Sequence, residues 1–340
     1  MTASLARRGR RRVAAPVGVL LTIGLLGACA TSVPTVVPSG SSTATASSAA
    51  TPTTAASPSP SATAAACTNA TASYAPSGAL PAATDLPSGS TMAAIRKRGR
   101  LIVGVSADTY LLGSRNPLTG KVEGFDIDLA TAIGQAILGP KANIQLVVIT
   151  AADRIPALQE GRVDIVVRNM TMTCDRWKQI GFSAVYYQAG QKILARKGDE
   201  TISDVASLAG HKVCAPKGST SLTNLVAKAP TAIAVPADNH TGCLVLFQQG
   251  QVDAITGDDT VLAGLASQDP YAVVTGAPAF TKEPYGVGVP PKNVDLARFI
   301  NALLVEMRSD GRWEKSYRTW LAPTLGAGSG QPTPTYGRAP

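Results

Sequence analysis

Two polar runs stand at the ends of apolar strands. "RNMTMTCDR" (168–176) follows the apolar "VDIVV", and "GDDT" (257–260) follows "VDAIT". A strand that merely turns has no need of amides, hydroxyls, a cysteine and two arginines in succession. Arginine forks a carboxylate, and aspartate can hold an ammonium. Placed face to face, such groups suit the capture of a small polar molecule. Taken singly, each has a plainer explanation: Arg176 can be a surface charge on a short helix, and Asp258 a cap for a helix beginning near Thr260.

The spacing favours the ligand reading. "LQEGRVDIV" (158–166) is echoed by "FQQGQVDAI" (247–255), 89 residues later. Each copy is a helix end, a glycine stop and a buried strand opening on Val-Asp. The same offset carries Asn169 onto Asp258, each just past the carboxyl end of a parallel strand. Open α/β sheets bind ligands there.

The elements that must position these residues alternate. "RLIVGV", "IQLVVI" and "VDIVV" read as strands, with helices in "FDIDLATAIGQAIL" and "ADRIPALQEG". After residue 200, "HKVCAP", "AIAVPA" and "VDAIT" are strands between the helices "STSLTNLVAKA", "TGCLVLFQQG" and "TVLAGLAS". Strands alternating with helices imply parallel βαβ units, here in two lobes. "YYQAGQKILARKG" (186–198) reads as the crossover into the second lobe and "EPYGVGVPPK" (283–292) as the return. Two crossovers make a two-strand hinge suited to closure. Two amphipathic helices then fill 296–321.

The front of the chain differs. Residues 1–12 carry five arginines and no acid, followed by "VAAPVGVLLTIGLL" and "GAC". That is a basic region, an apolar run too short to span comfortably, and small residues before a cysteine. Residues 30–66 hold no charge and no aromatic, so they cannot bury enough surface to order themselves; a flexible chain of that length spans roughly 30–35 Å. Removing residues 1–28 takes five of the nine net positive charges and leaves +4. No basic stripe is interleaved with aromatics, so nucleic-acid binding is not expected. With two histidines and no C-x-x-C spacing, a metal site is not expected either. Beyond Cys29, four cysteines remain, which allow three disulfide connectivities in an oxidising compartment.

Leu26-Gly27-Ala28-Cys29 resembles a bacterial lipobox, which implies lipidation at Cys29 and an extracytoplasmic, membrane-anchored protein. Residues 93–322, through "RGRLIVGV", "GFDIDLA", "RIPALQEGRVDIVV", "MTMTCDRWKQIGFSAVYY", "GDDTVLAG" and "DGRWEKSYRTWL", resemble the polar amino-acid-binding proteins of ABC transporters, the family 3 solute-binding group. The resemblance implies an α/β fold of the two-lobed, type 2 periplasmic-binding-protein kind (a Venus flytrap). The expected boundaries are a signal over 1–28, a linker over 29–66, lobe 1 over 67–186 and 285–325, lobe 2 over 187–284, and a flexible tail over 326–340.

The resemblance also implies roles. Arg176, Thr171 and Thr220, at the head of the helix that "KGSTS" opens, receive a ligand α-carboxylate. Asp258, with Asn169, receives the α-ammonium. The side chain falls to Arg115, Arg168, Lys217, Tyr110 and Asp108, where the cations favour glutamate or aspartate, with glutamine or asparagine next; each cation can equally be a solvated surface charge. Relatives imply a Cys214–Cys243 pair, which leaves Cys67 with Cys174. The implied function is a monomeric receptor without cofactor that hands a free amino acid to an ABC permease, or reports it to a sensory membrane protein. Dehydratases of prephenate or arogenate share the fold, but they need a carboxyl general acid. Asp108 is the only candidate for it, and no P-loop, nucleophile elbow or metal motif is present, so an enzyme is not expected.

Overall fold

A computed structural model describes residues 67–339. The expected signal, the expected lipidation site Cys29 and the expected linker lie outside the described residues.

Lobe 1 is built on a five-stranded sheet. Strands Ile144–Val148, Leu101–Val105 and Ile165–Val166 run parallel; Gly288–Val289 joins antiparallel and also pairs Gly181–Phe182. Successive residues feed opposite faces. Val103 and Ile165 pack into one core with helix Phe125–Leu138, and Val166 packs into the other with Leu158. A sheet covered on both faces reads as a continuous apolar run, as these strands do.

Lobe 2 repeats the plan. Ile233–Ala237, Lys212–Pro216 and Ala254–Asp258 are parallel. The long crossover strand Tyr187–Arg196 lies antiparallel to Ala254–Asp258, and the return strand Thr281–Tyr285 pairs with it from Thr281↔Gln191 to Tyr285↔Tyr187. The two expected crossovers are therefore one hydrogen-bonded ribbon between the lobes. Again alternate residues divide between two cores, Cys214 and Ile255 on one side, Val213 and Ala254 on the other.

Both expected disulfides form, with Cα atoms 5.5 Å apart in each: Cys214–Cys243 inside lobe 2, and Cys67–Cys174 between the start of the described chain and the short helix carrying Arg176. The tail departs from expectation. It is not a free end: Thr335–Tyr336 pairs in parallel with Ala72–Ser73, and the Arg338 guanidinium sits 3.7 Å over the Trp177 ring. Arg338 also donates through Nε to the Ala72 carbonyl at 3.0 Å. The backbone pairing at Thr335–Tyr336 and the Arg338 guanidinium on the Trp177 ring are what hold it down.

Candidate functional site

The end of strand Ile165–Val166 is shaped by one buried carboxylate. Asp126, in the first turn of its helix, accepts the Asn169 backbone N–H and the Tyr186 hydroxyl, both at 2.8 Å. Burial pushes this carboxyl up to about 6, against the two hydrogen bonds and the nearby Arg168 and Arg154. Asn169 is thereby held at φ 34°, the left-handed region that asparagine tolerates better than most residues. Two buried arginines of this turn, Arg168 and Arg176, are joined by a third, Arg154. Arg168 is anchored through Nε to the Ile149 carbonyl at 2.9 Å. Arg176 donates through Nη1 to Thr171 O at 2.6 Å and through Nη2 to Gly218 O at 3.2 Å, reaching lobe 2. Arg154, at the start of helix Arg154–Gln159, holds the Ala151 and Asn169 carbonyls at 2.9 and 3.1 Å, and also reaches Gly218 O at 3.3 Å. Burial lowers the pKa of all three, and the crowding of Arg154 by Arg176 and Arg168 adds to it.

Lobe 2 answers with the end of strand Ala254–Asp258 and the head of helix Thr220–Lys228. Asp258 is 3 % exposed. Its Oδ2 accepts the Tyr285 hydroxyl at 2.6 Å, while Oδ1 is buried without a partner. Burial raises its carboxyl to about 8, and the neighbouring Glu283 carboxylate pushes in the same direction. Glu283 itself, on the return strand, ties the lobes together. It accepts Thr171 Oγ1 from lobe 1 and Thr220 Oγ1 from lobe 2, each at 2.7 Å, with Thr281 and Asn224 on its other oxygen. The approach is close enough that a side chain at Gly218 (φ +69°) would meet Ala152 Cα at 2.7 Å.

Between the lobes lies a small cavity lined by Arg154, Arg168, Asn169, Thr220, His240 and Asp258, among others. Three of its polar atoms are buried and unpartnered: Asn169 Oδ1, Asp258 Oδ1 and His240 Nε2. Buried polar atoms are nearly always satisfied, so their convergence marks this cavity. A roomier one, about 460 Å³, lies between the 77–92 segment and helix Val294–Ser309. Its Asp295 and Arg298 are already engaged, with Thr91 and with the Ala75 carbonyl.

Of the sequence-derived candidates, Arg168, Asn169, Thr220 and Asp258 line this cavity, while Thr171 and Arg176 reach across to Thr220 and Gly218 of lobe 2 without lining it. Three do neither. Arg115 is exposed and bonds the Gly120 carbonyl at 2.6 Å. Lys217 is exposed and pairs with Asp238 at 3.1 Å. Tyr110 is 46 % exposed. Charge in a sequence does not say which way a side chain points: strand Gly113–Arg115 turns Arg115 outward, and the turn at Gly218 sends Lys217 to solvent. Asp108 accepts Ser106 Oγ at 2.7 Å, and its charge is felt by both Arg168 and His240. Arg154, Glu283 and His240 escaped the sequence reading. The 89-residue echo held a signal for one of them: it maps His240 onto Ala151, and both line the cavity.

Comparison with known proteins agrees with this architecture. The glutamine-binding protein GlnH of an ABC transporter in Bacillus subtilis (strain 168) is 41 % identical over 232 residues, 68 % of this chain and 84 % of that protein. The glutamate-binding protein GluB of Corynebacterium efficiens is 29 % identical over 261 residues, 74 % and 87 % respectively. The solved structure of an ancestral arginine-binding protein bound to glutamine superposes with a TM-score of 0.62 at 34 % identity, covering 68 % of this chain and 99 % of that one. The family model of bacterial extracellular solute-binding proteins, family 3, matches residues 101–323, and the chain belongs to that family.

Proposed function

We propose that the cleft captures a free amino acid ending in a carboxylate or carboxamide: glutamate or aspartate first, glutamine or asparagine next. The observation that carries this is a buried cationic cluster facing a buried carboxyl across the cleft. Lobe 1 brings buried Arg176 and Arg154, and lobe 2 brings buried Asp258 with an unpartnered oxygen. A zwitterion needs one clamp of each sign, and splitting them between lobes couples binding to closure. In this reading Arg176 takes the α-carboxylate with the hydroxyls of Thr171 and Thr220. Asp258 and Asn169 Oδ1 take the α-ammonium. Arg168, the one side-chain cation of the original three that lines the cavity, faces the ligand's end group. The glutamine- and glutamate-binding relatives support the same ligand class.

The protein acts, in this proposal, as a receptor that delivers its ligand to an ABC permease and performs no chemistry on it. It is held to the outer face of the plasma membrane by lipidated Cys29. Calorimetry of residues 67–340 against the twenty amino acids tests the ligand class, and a preference for basic or apolar ligands would overturn it. For the anchor, Cys29→Ala should move the protein from the membrane fraction to the medium; retention in the membrane would refute lipidation there.

A further inference from the structure

The two disulfides stand in unlike places. Cys214 and Cys243 are sealed in the core of lobe 2, each 0 % exposed. Cys67 and Cys174 are only partly covered. Cys174 opens the four-residue helix Cys174–Trp177, two positions before Arg176. So short a helix holds itself poorly, and the segment 67–74 braces it on both sides of that arginine. The disulfide holds one end. At the other, Trp177 Nε1 donates to the Ala70 carbonyl at 2.7 Å, and its ring meets Tyr74 edge-on with centroids 5.8 Å apart. The segment is anchored in turn where the Ser73 hydroxyl donates to the Phe182 carbonyl at 2.9 Å and where the tail pairs with Ala72–Ser73.

Arg338 makes the two sulfurs chemically unequal. Its Nη2 lies 3.6 Å from Cys67 Sγ, while the same guanidinium donates to the Asn69 carbonyl at 3.1 Å and to the Ala72 carbonyl at 3.0 Å. A cation fixed there stabilises negative charge on the Cys67 sulfur, which makes Cys67 the better leaving group in thiol–disulfide exchange.

We propose that Cys67–Cys174 is a thiol-exchange site for an external dithiol, and that its reduction loosens Arg176 and weakens ligand binding. The effect on binding rests on the amino-acid-binding reading above; the exchange does not. A thiolate of the dithiol attacks Cys174 Sγ, the S–S bond breaks, and its electron pair goes to Cys67 Sγ beside Arg338. The second thiol of the reagent, deprotonated, then attacks its own mixed-disulfide sulfur and releases Cys174 as a thiolate. The dithiol ends as a disulfide, and its two electrons and two protons have passed to the two cysteines. The sealed pair in lobe 2 offers no sulfur to such a reagent. With the bond open, the helix keeps its brace at Trp177 and loses the one at Cys174, so the guanidinium between them is held from one side only.

Limited treatment of the protein with dithiothreitol tests this. One aliquot is alkylated and read by peptide mass spectrometry; another is titrated by calorimetry with glutamate, aspartate, glutamine and asparagine. Cys67 and Cys174 should be alkylated while Cys214–Cys243 stays closed. Affinity should fall at least about tenfold and return on reoxidation. Cys67→Ser combined with Cys174→Ser should bind as the reduced protein does and ignore dithiothreitol. Arg338→Gln should slow the opening of the bond without changing the affinity of the oxidised protein; equal or faster opening contradicts the leaving-group assignment. Opening of Cys214–Cys243 first, or of neither bond, overturns the exchange site. Undiminished affinity in the reduced protein overturns the switch and leaves the amino-acid-binding reading intact. No heat from any of the four ligands with the oxidised protein overturns that reading and the switch built on it, while the mass spectra still decide the exchange site.

Discussion

Asp258→Asn should stabilise the ligand-free protein at high pH while weakening its ligand binding. The wild-type carboxyl is 3 % exposed, shares one oxygen with Tyr285 and leaves the other unpaired. Burial and the Glu283 carboxylate raise its pKa to about 8, from an ordinary value near ~3.9. At about 1.4 kcal/mol per pH unit, ionising it inside the ligand-free fold costs on the order of 5 kcal/mol. Because the folded-state pKa is raised, the folded state keeps a proton that the unfolded chain releases between about pH 4 and pH 8. This group's contribution to stability is greatest below about pH 4 and is lost as pH rises through about 8. Asparagine carries no such proton. The stability of the variant relative to wild type should therefore climb from pH 5 to pH 8 and level off above it, by a few kcal/mol in all. Common titrations cancel in that difference. Urea melts of both proteins at pH 5, 7 and 9 measure it. Binding should move the opposite way: removing the counter-charge of a desolvated ammonium costs roughly 2–5 kcal/mol, about 30- to several-thousand-fold in affinity. A stability difference independent of pH would show that Asp258 ionises as an ordinary carboxyl. Wild-type affinity in the variant would show that no ammonium sits beside it.

Other expectations are tied to the same contacts. Arg176→Lys keeps the charge but loses the two-pronged geometry, so affinity should fall at least about tenfold with little change in melting temperature; calorimetry showing undiminished affinity would count against the α-carboxylate assignment. Glu283→Gln removes the negative neighbour that helps raise the Asp258 pKa, so the pH-dependent stability gap between Asp258 and its asparagine variant should shrink in that background, and an unchanged gap would refute the coupling. Ending the chain after residue 325 deletes the pairing at Thr335–Tyr336 and the Arg338–Trp177 contact; it should cost about 1–3 kcal/mol in a urea melt, whereas a free tail would cost nothing.

Much of this was legible in the sequence because its causes are local. Buried strands announce themselves as apolar runs, and the repeated Gln-x-Gly-x-Val-Asp carries the lobe-to-lobe equivalence of Asn169 and Asp258 without any coordinates. What was illegible depends on direction and on closure. Arg115 and Lys217 differ from Arg168 only in where their backbones aim them. Arg154 read as an ordinary residue of the helix in "ADRIPALQEG", and only the meeting of the lobes brings its guanidinium to Gly218 O. Glu283 matters because Thr171 and Thr220 converge on it from different lobes, a fact without a sequence period. His240 was considered only as a metal ligand; the glycine that admits its ring, Gly257, lies 17 positions along the chain. The tail shows the reverse error: it was expected to be flexible, while Thr335–Tyr336 pairs with Ala72–Ser73 and Arg338 sits over Trp177.

In the proposed function the buried arginines of lobe 1 and the Asp258 carboxyl of lobe 2, ionised beside a bound ammonium, hold a free acidic or amide amino acid. Titrating glutamate, aspartate, glutamine and asparagine into the wild-type protein by calorimetry tests it most directly. One-to-one binding of at least one of the four is expected, with arginine, lysine and leucine silent at the same concentrations. Saturable binding of a basic or apolar amino acid, with no heat from these four, would contradict it.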